Sequence, residues 1–232
     1  MELHGTVAPG YEPVREALSE LFGMGREKGS QLCCYVRGER VVDLWGGEAK
    51  AGVAMAPDTL ACIFSCTKCL SSLCVAVAAD RGWLRLDDPV AKHWPEFAQH
   101  GKGAITVAEL MRHEAGLHVA APPITFAELA PAARDALEAR LAAEKPAPAT
   151  LAADGGPRTA YHAFTRGFYE AALLRRCDPA GRTVGEILRD EVAAPLGVAD
   201  GVLIGVPPAA DGGGGGVEGL ERVGKAAPPA DR

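Results

Sequence analysis

Ser65 and Lys68 are the residues of this chain best suited to chemistry. They stand three apart in Ser65-Cys66-Thr67-Lys68, about one helical turn, so both side chains share a helix face. An extended apolar run, 60–64, leads into them, and a run of helical composition, 69–81, follows. Ser65 is therefore expected where a loop turns into a helix. Its hydroxyl stays accessible there, and the first backbone N–H groups of the helix have no helical partner. Those groups, at the positive end of the helix dipole, suit an oxyanion. A lysine in a dry pocket has its charged form disfavoured, and it can then take a proton from a neighbouring serine and make it a nucleophile. A plainer role fits the same residues, with Ser65 as a helix N-cap and Lys68 as a solvated first-turn residue, because Ser-x-x-Lys fixes only two positions.

The elements that must position this pair follow from periodicity. Val14, Leu18, Leu21 and Phe22 recur at helical spacing and predict a helix over 11–28, ended by Gly23, Gly25 and Gly29. Two β-prone runs around the turn Arg37-Gly38-Glu39-Arg40 predict a hairpin over 31–45. After the helix that begins at Ser65, 65–81, Gly82 suits a helix end, and Asp88-Pro89 opens a short apolar element over 89–99 with Trp94 and Phe97. A helix is expected over 105–113, capped by Thr106 with Glu109 and ended by Gly116. Residues 126–144 read as one helix or two, the second starting at Pro131. Residues 145–156 read as a loop, and 161–176 and 184–192 as helices. Residues 207–232 contain five consecutive glycines, Gly212 to Gly216, and two proline pairs; they read as a disordered Gly/Pro-rich tail.

Composition bounds the function. The 232 residues are 48% hydrophobic, enough for a core. A net charge of −6 without a basic cluster argues against nucleic-acid binding. No apolar run is long enough to span a bilayer, and the first residues lack a basic segment followed by an apolar one, so a soluble, cytoplasmic protein is expected. The seven cysteines are then expected mostly as small buried hydrophobes. Cys66-Thr67-Lys68-Cys69 has redox spacing but neither a thioredoxin-like context nor a second ligand pair for zinc. In His113-Glu114-Ala115-Gly116-Leu117-His118 the histidines stand five apart, not the four that a zinc-binding helix needs, so His113 reads as a structural hydrogen-bonding residue. No metal or cofactor is expected.

Several motifs in order resemble the serine β-lactamase-related superfamily, and most of all its class C-like branch, the family VIII carboxylesterases. They are Phe64 before Ser-x-x-Lys, then Asp80-Arg81-Gly82 with Leu84, Leu86 and Asp87, then Trp94-Pro95-Glu96-Phe97, then Ile105-Thr106-Val107 with Leu110, His113 and Ala115-Gly116-Leu117. Tyr161-His162-Ala163-Phe164-Thr165 with Gly167 is similar to that branch's Tyr-His-Ala-x-Thr-x-Gly signature, and the match continues through Pro195-Leu196-Gly197 to Pro207. The resemblance spans roughly residues 30–207 and implies an α/β (α+β) β-lactamase/transpeptidase-like fold, an antiparallel sheet with a mostly helical subdomain over 89–200. It implies a partial domain over 1–206, with an incomplete sheet to which only the hairpin contributes strands.

The resemblance also implies roles. Ser65 attacks an ester or amide carbonyl and forms an acyl-enzyme, with Lys68 and Tyr161 within reach and either one as the base. Phe64 and Ala163 line the substrate; Ala163, where β-lactamases of this branch carry Asn, favours simple esters. The family's third motif, Lys-Thr-Gly or a His-x-Gly or Trp-x-Gly variant, supplies a second oxyanion donor and is not found after Ala163. Three functions follow: a serine hydrolase of small carboxylic esters, an impaired fragment acting through binding, and an acyltransferase using the same serine. The partner is a small-molecule ester or amide; a homo-oligomer that completes the sheet is compatible with the short chain.

Overall fold

The computed structural model describes residues 2–147 and 159–205 and the backbone of 223–224. The chain divides into two units, Met1–Phe64 with Val206–Arg232, and Ser65–Gly205.

The first unit is built on the expected hairpin, with longer strands. β2 (Gly29–Val36) and β3 (Glu39–Lys50) pair antiparallel, Leu32 opposite Leu44 and Cys34 opposite Val42. Arg37 and Gly38 both have positive φ, +52° and +83°, as a tight two-residue hairpin turn requires. β3 also pairs with β1 (Leu3–Val7) on its other edge and with the short β4 (Val53–Ala54). The expectation that only the hairpin supplies strands is therefore corrected. Gly5 interrupts the apolar pattern of β1 because a Cβ there would lie 2.0 Å from the Asp43 carbonyl oxygen, so packing demands a residue that weakens the strand signal. β5 (Leu60–Ala61) pairs in parallel with β6 (Val223–Gly224), the two tail residues whose structure is described; the rest of the expected tail lies outside the described residues. The helix expected over 11–28 is α1 (Glu12–Gly23), which lays Leu18 and Phe22 against Val42 and Leu44. It stops early because Gly25 turns left-handed (φ +69°), and its N–H and that of Arg26 return to the Phe22 and Leu21 carbonyls.

The second unit is helical: α2 (Thr67–Asp80), α3 (Val90–His93), α4 (Val107–Met111), α5 (Arg134–Ala143), α6 (Thr165–Cys177) and α7 (Val184–Leu188). The Thr106–Glu109 capping box is present: the Glu109 carboxylate accepts the Thr106 N–H at 2.7 Å, and Thr106 Oγ1 accepts the Glu109 N–H at 3.2 Å. Phe126–Leu129 and Pro131–Ala133 are separate 3₁₀ turns before α5, so the expected long helix is broken at its start. Residues 148–156 of the expected loop lie outside the described residues. The helix expected over 184–192 continues from α7 as a π-helical turn, Arg189–Ala193. α6 begins at Thr165, four residues later than expected, a correction whose cause lies in the site below.

The core of this unit centres on Trp94, Phe97 and Tyr169, with ring centroids 5.6, 6.3 and 5.9 Å apart. Lys102 is fully buried beside it, 5.3 Å from the Phe97 ring centre, and donates to the Ala142 and Glu144 carbonyls at the end of α5. Those carbonyls have no helical donor, and the ammonium caps them. The expectation for the cysteines is corrected: Cys33, Cys62, Cys66 and Cys69 are exposed, Cys34 and Cys177 are half-buried, and Cys74 alone is buried. Among the described residues no helix is long and apolar enough to cross a membrane.

Lys102→Met keeps the stem and strips the cap from two carbonyls. A loss of about 1–3 kcal/mol is expected, the cost of a buried polar group left unpaired. Urea or thermal denaturation checks it.

Candidate functional site

Phe64–Cys66 form one 3₁₀ turn leading into α2. Phe64 has φ +44°, in the left-handed region that a bulky side chain rarely occupies. It is the last residue of the first unit, and its side chain is 72% exposed. Such a conformation costs about 1–3 kcal/mol in a non-glycine residue. Ser65 follows and is exposed, as its place at the mouth of a helix leads one to expect.

Lys68 lies in the first turn of α2. Its Nζ donates to the Ala163 carbonyl at 2.6 Å and to Ser65 Oγ at 3.4 Å, and it stands 5.0 Å from the centre of the Tyr161 ring. Ser65, Lys68 and Tyr161 are thus brought together, as their positions in the motifs imply. Hydrogen bonds with Ser65 and then Lys68 hold the Tyr161 hydroxyl below its ordinary value near 10, with the charges of Lys68 and Arg166 adding to the shift. The site is open, with Tyr161 55% exposed.

The segment bearing Tyr161 is held by two histidines. His162 is buried; its Nδ1–H donates to the Ala160 carbonyl at 2.6 Å, and its Nε2 accepts the Leu117 N–H at 2.9 Å. Those partners fix one neutral tautomer, and burial pushes its pKa down. The His162 N–H donates to His113 Nδ1 at 3.0 Å, and the Ala160 N–H to the His113 carbonyl at 3.1 Å. His113, itself left-handed at φ +64°, packs its ring 4.9 Å from that of Tyr161. Burial first, then the charges of Arg166 and Lys68, push it below the usual histidine value. His113 is therefore the structural hydrogen-bonding residue the sequence suggests. Among the described residues no group of three His, Cys, Asp or Glu side chains is placed to hold a metal.

These bonds explain why residues 161–164 are not helical. Inside a helix the Ala163 carbonyl would accept the N–H four residues on; here it accepts Lys68 instead. Ala163 serves the site through its backbone, a contribution that its side chain does not announce. Sequence reasoning also missed Ser71, Ser72, Arg166 and Glu170, which lie behind Lys68. Arg166 and Glu170, four apart on α6, carry the pattern of a solvated surface pair, and nothing in their spacing marks them as buried.

The family model described as Beta-lactamase matches residues 14–232. The esterase/beta-lactamase LipL of Mycobacterium tuberculosis is 35% identical over 207 residues, 88% of this chain and 46% of that protein. A solved family VIII carboxylesterase is 34% identical with a TM-score of 0.79, over 91% of this chain and 56% of its own. A penicillin-binding protein homologue from Caulobacter crescentus is 35% identical with a TM-score of 0.81, over 99% and 57%. The chain thus spans about half the length of these relatives.

Lys68→Met removes the cation and the donor that favour the Tyr161 phenolate. The Tyr161 titration, followed by NMR of 13C-labelled tyrosine and assigned with Tyr161→Phe, is expected to move upward, toward or above 10.

Proposed function

The chain belongs to the beta-lactamase family and has its β-lactamase/transpeptidase-like α/β fold, and from that premise we propose that it is a serine hydrolase of small carboxylic esters. The observation that carries this reading is the convergence of Lys68 Nζ on Ser65 Oγ and Ala163 O beside Tyr161. Ser65 Oγ attacks the ester carbonyl carbon, and its proton passes to the Tyr161 oxygen. Tyr161 is the base because its hydroxyl is held below its ordinary value by Ser65 and Lys68. Lys68 bonds to Ser65 Oγ, favours the Tyr161 phenolate and restrains Ala163.

The Ser65 backbone N–H supplies one donor for the developing oxyanion. The tetrahedral intermediate collapses, the alcohol leaves with a proton from Tyr161, and an acyl group stays on Ser65. Water then repeats the sequence and frees the acid. The exposure of Ser65 and Tyr161 gives water a route to the acyl group. The ester preference rests on the relatives, two of which are described as an esterase/beta-lactamase and a carboxylesterase.

Hydrolysis of p-nitrophenyl butyrate tests the reading. Ser65→Ala is expected to lose about a thousandfold or more of kcat/KM, and Tyr161→Phe about a hundredfold or more. Because Tyr161 acts as the base, kcat/KM should rise with pH and level off through an apparent pKa below 10. Turnover equal in the chain and in Ser65→Ala would contradict the proposal.

A further inference from the structure

A buried ion pair outside the reacting groups bonds to α2, which carries Lys68, and lies beside His113, which packs against Tyr161. Arg166 and Glu170 of α6 are 6% and 1% exposed. Arg166 Nε and Nη2 lie 2.9 and 2.7 Å from Glu170 Oε1, and Glu170 Oε2 accepts the Ser71 hydroxyl at 2.8 Å. Arg166 Nη2 also donates to Ser72 Oγ, and the Ser72 hydroxyl donates to the Lys68 carbonyl at 2.6 Å. On its other side Arg166 Nη1 lies 3.5 Å from His113 Nε2, a packing contact and not a hydrogen bond, because His113 Nδ1 is the acceptor and Nε2 carries the ring hydrogen. His113 takes the His162 N–H and packs against Tyr161.

Burying two charges carries a desolvation penalty that their attraction only partly repays, so such a pair is weak evidence for stability. Its connections are more informative. One planar guanidinium, with donors fixed in a fork, bonds to Ser72 of α2 and lies beside His113 of the segment after α4 at once. A point-like ammonium at the same place has no such fork. We infer that Arg166 and Glu170 are positioning residues of the hydrolytic site, setting Lys68 through Ser71 and Ser72 and Tyr161 through His113. This rests on the reading of Ser65, Lys68 and Tyr161 as the reacting groups; neither member of the pair touches the ester.

Among the described residues, Ser65 of the 3₁₀ turn, Lys68 of α2 and His113 of the segment after α4 adjoin Tyr161, and Arg166 of α6 acts on it through its charge. Lys68 and Arg166 carry positive charge there; His113 is neutral, since its Nδ1 accepts a backbone N–H, and Glu170 lies behind Arg166 with the opposite charge. Loosening the pair moves Lys68 and His113 relative to Tyr161. That weakens what holds the phenol down and disturbs the approach of Ser65, with little effect on substrate binding.

The test uses two variants and a control in the full chain, with two readouts. Arg166→Lys keeps the charge and loses the fork; Ser72→Ala is a small change that removes the hydroxyl joining Arg166 to the Lys68 carbonyl; Lys102→Met destabilises the unit elsewhere. With p-nitrophenyl butyrate, Arg166→Lys and Ser72→Ala are expected to lower kcat about tenfold or more, as a misplaced group does. KM should stay within about twofold, the pattern of an interaction made in the transition state alone. In 13C-tyrosine NMR the Tyr161 titration should move upward in both, while Lys102→Met lowers thermal stability and leaves that titration in place. A Tyr161 titration unchanged from the parent in both variants overturns the inference, whatever the turnover. An upward shift in a chain without Ser65-dependent turnover removes the hydrolase reading and leaves the positioning role standing.

Discussion

The hydrogen bond from Lys68 Nζ to the Ala163 carbonyl is the contact on which the site depends. It closes a separation of 95 residues and joins the start of α2 to the segment before α6. A bond from an ammonium to a carbonyl contributes about 1.5–3 kcal/mol, enough to hold a local choice between two backbone conformations. The choice here is between starting α6 at Tyr161 and starting it at Thr165. With the later start, the Ala163 carbonyl is free for Lys68, and the Tyr161 hydroxyl reaches Ser65 and Lys68.

Keeping that arrangement has a free-energy cost that the surrounding fold offsets. Phe64 and His113 both sit at positive φ, where each non-glycine residue loses about 1–3 kcal/mol. The Arg166–Glu170 pair adds a desolvation penalty. Against these stands the aromatic and aliphatic core around Trp94, Phe97 and Tyr169, in which each fully buried large side chain contributes about 1.5–3 kcal/mol. His162 converts part of that stability into geometry: every polar atom of its ring and its N–H has a partner, so the segment around Tyr161 has little freedom.

Much of this was legible in the sequence because it is local. The Ser-x-x-Lys spacing, the Thr106–Glu109 capping box and the hairpin turn at Arg37-Gly38 each depend on residues a few positions apart. What stayed hidden depends on distant partners. β1 is masked because its close approach to Asp43 demands Gly5, a residue that weakens a strand's signature. The late start of α6 is decided by Lys68, His113 and Leu117, none of them near it in sequence. The helical pattern of 161–176 therefore overstates the helix. Arg166 and Glu170 look like an ordinary exposed i,i+4 pair, and burial alone gives them another meaning.

The central claim is that Ser65 carries the acyl group. The direct measurement is mass spectrometry of the chain mixed briefly with p-nitrophenyl butyrate, quenched in acid and digested. A single butyryl group on the peptide containing Ser65, absent in Ser65→Ala and accumulating in step with the first release of p-nitrophenolate, is the predicted result. The acyl group on the neighbouring exposed thiols of Cys66 or Cys69, or turnover with no adduct at Ser65 at any time, would contradict it.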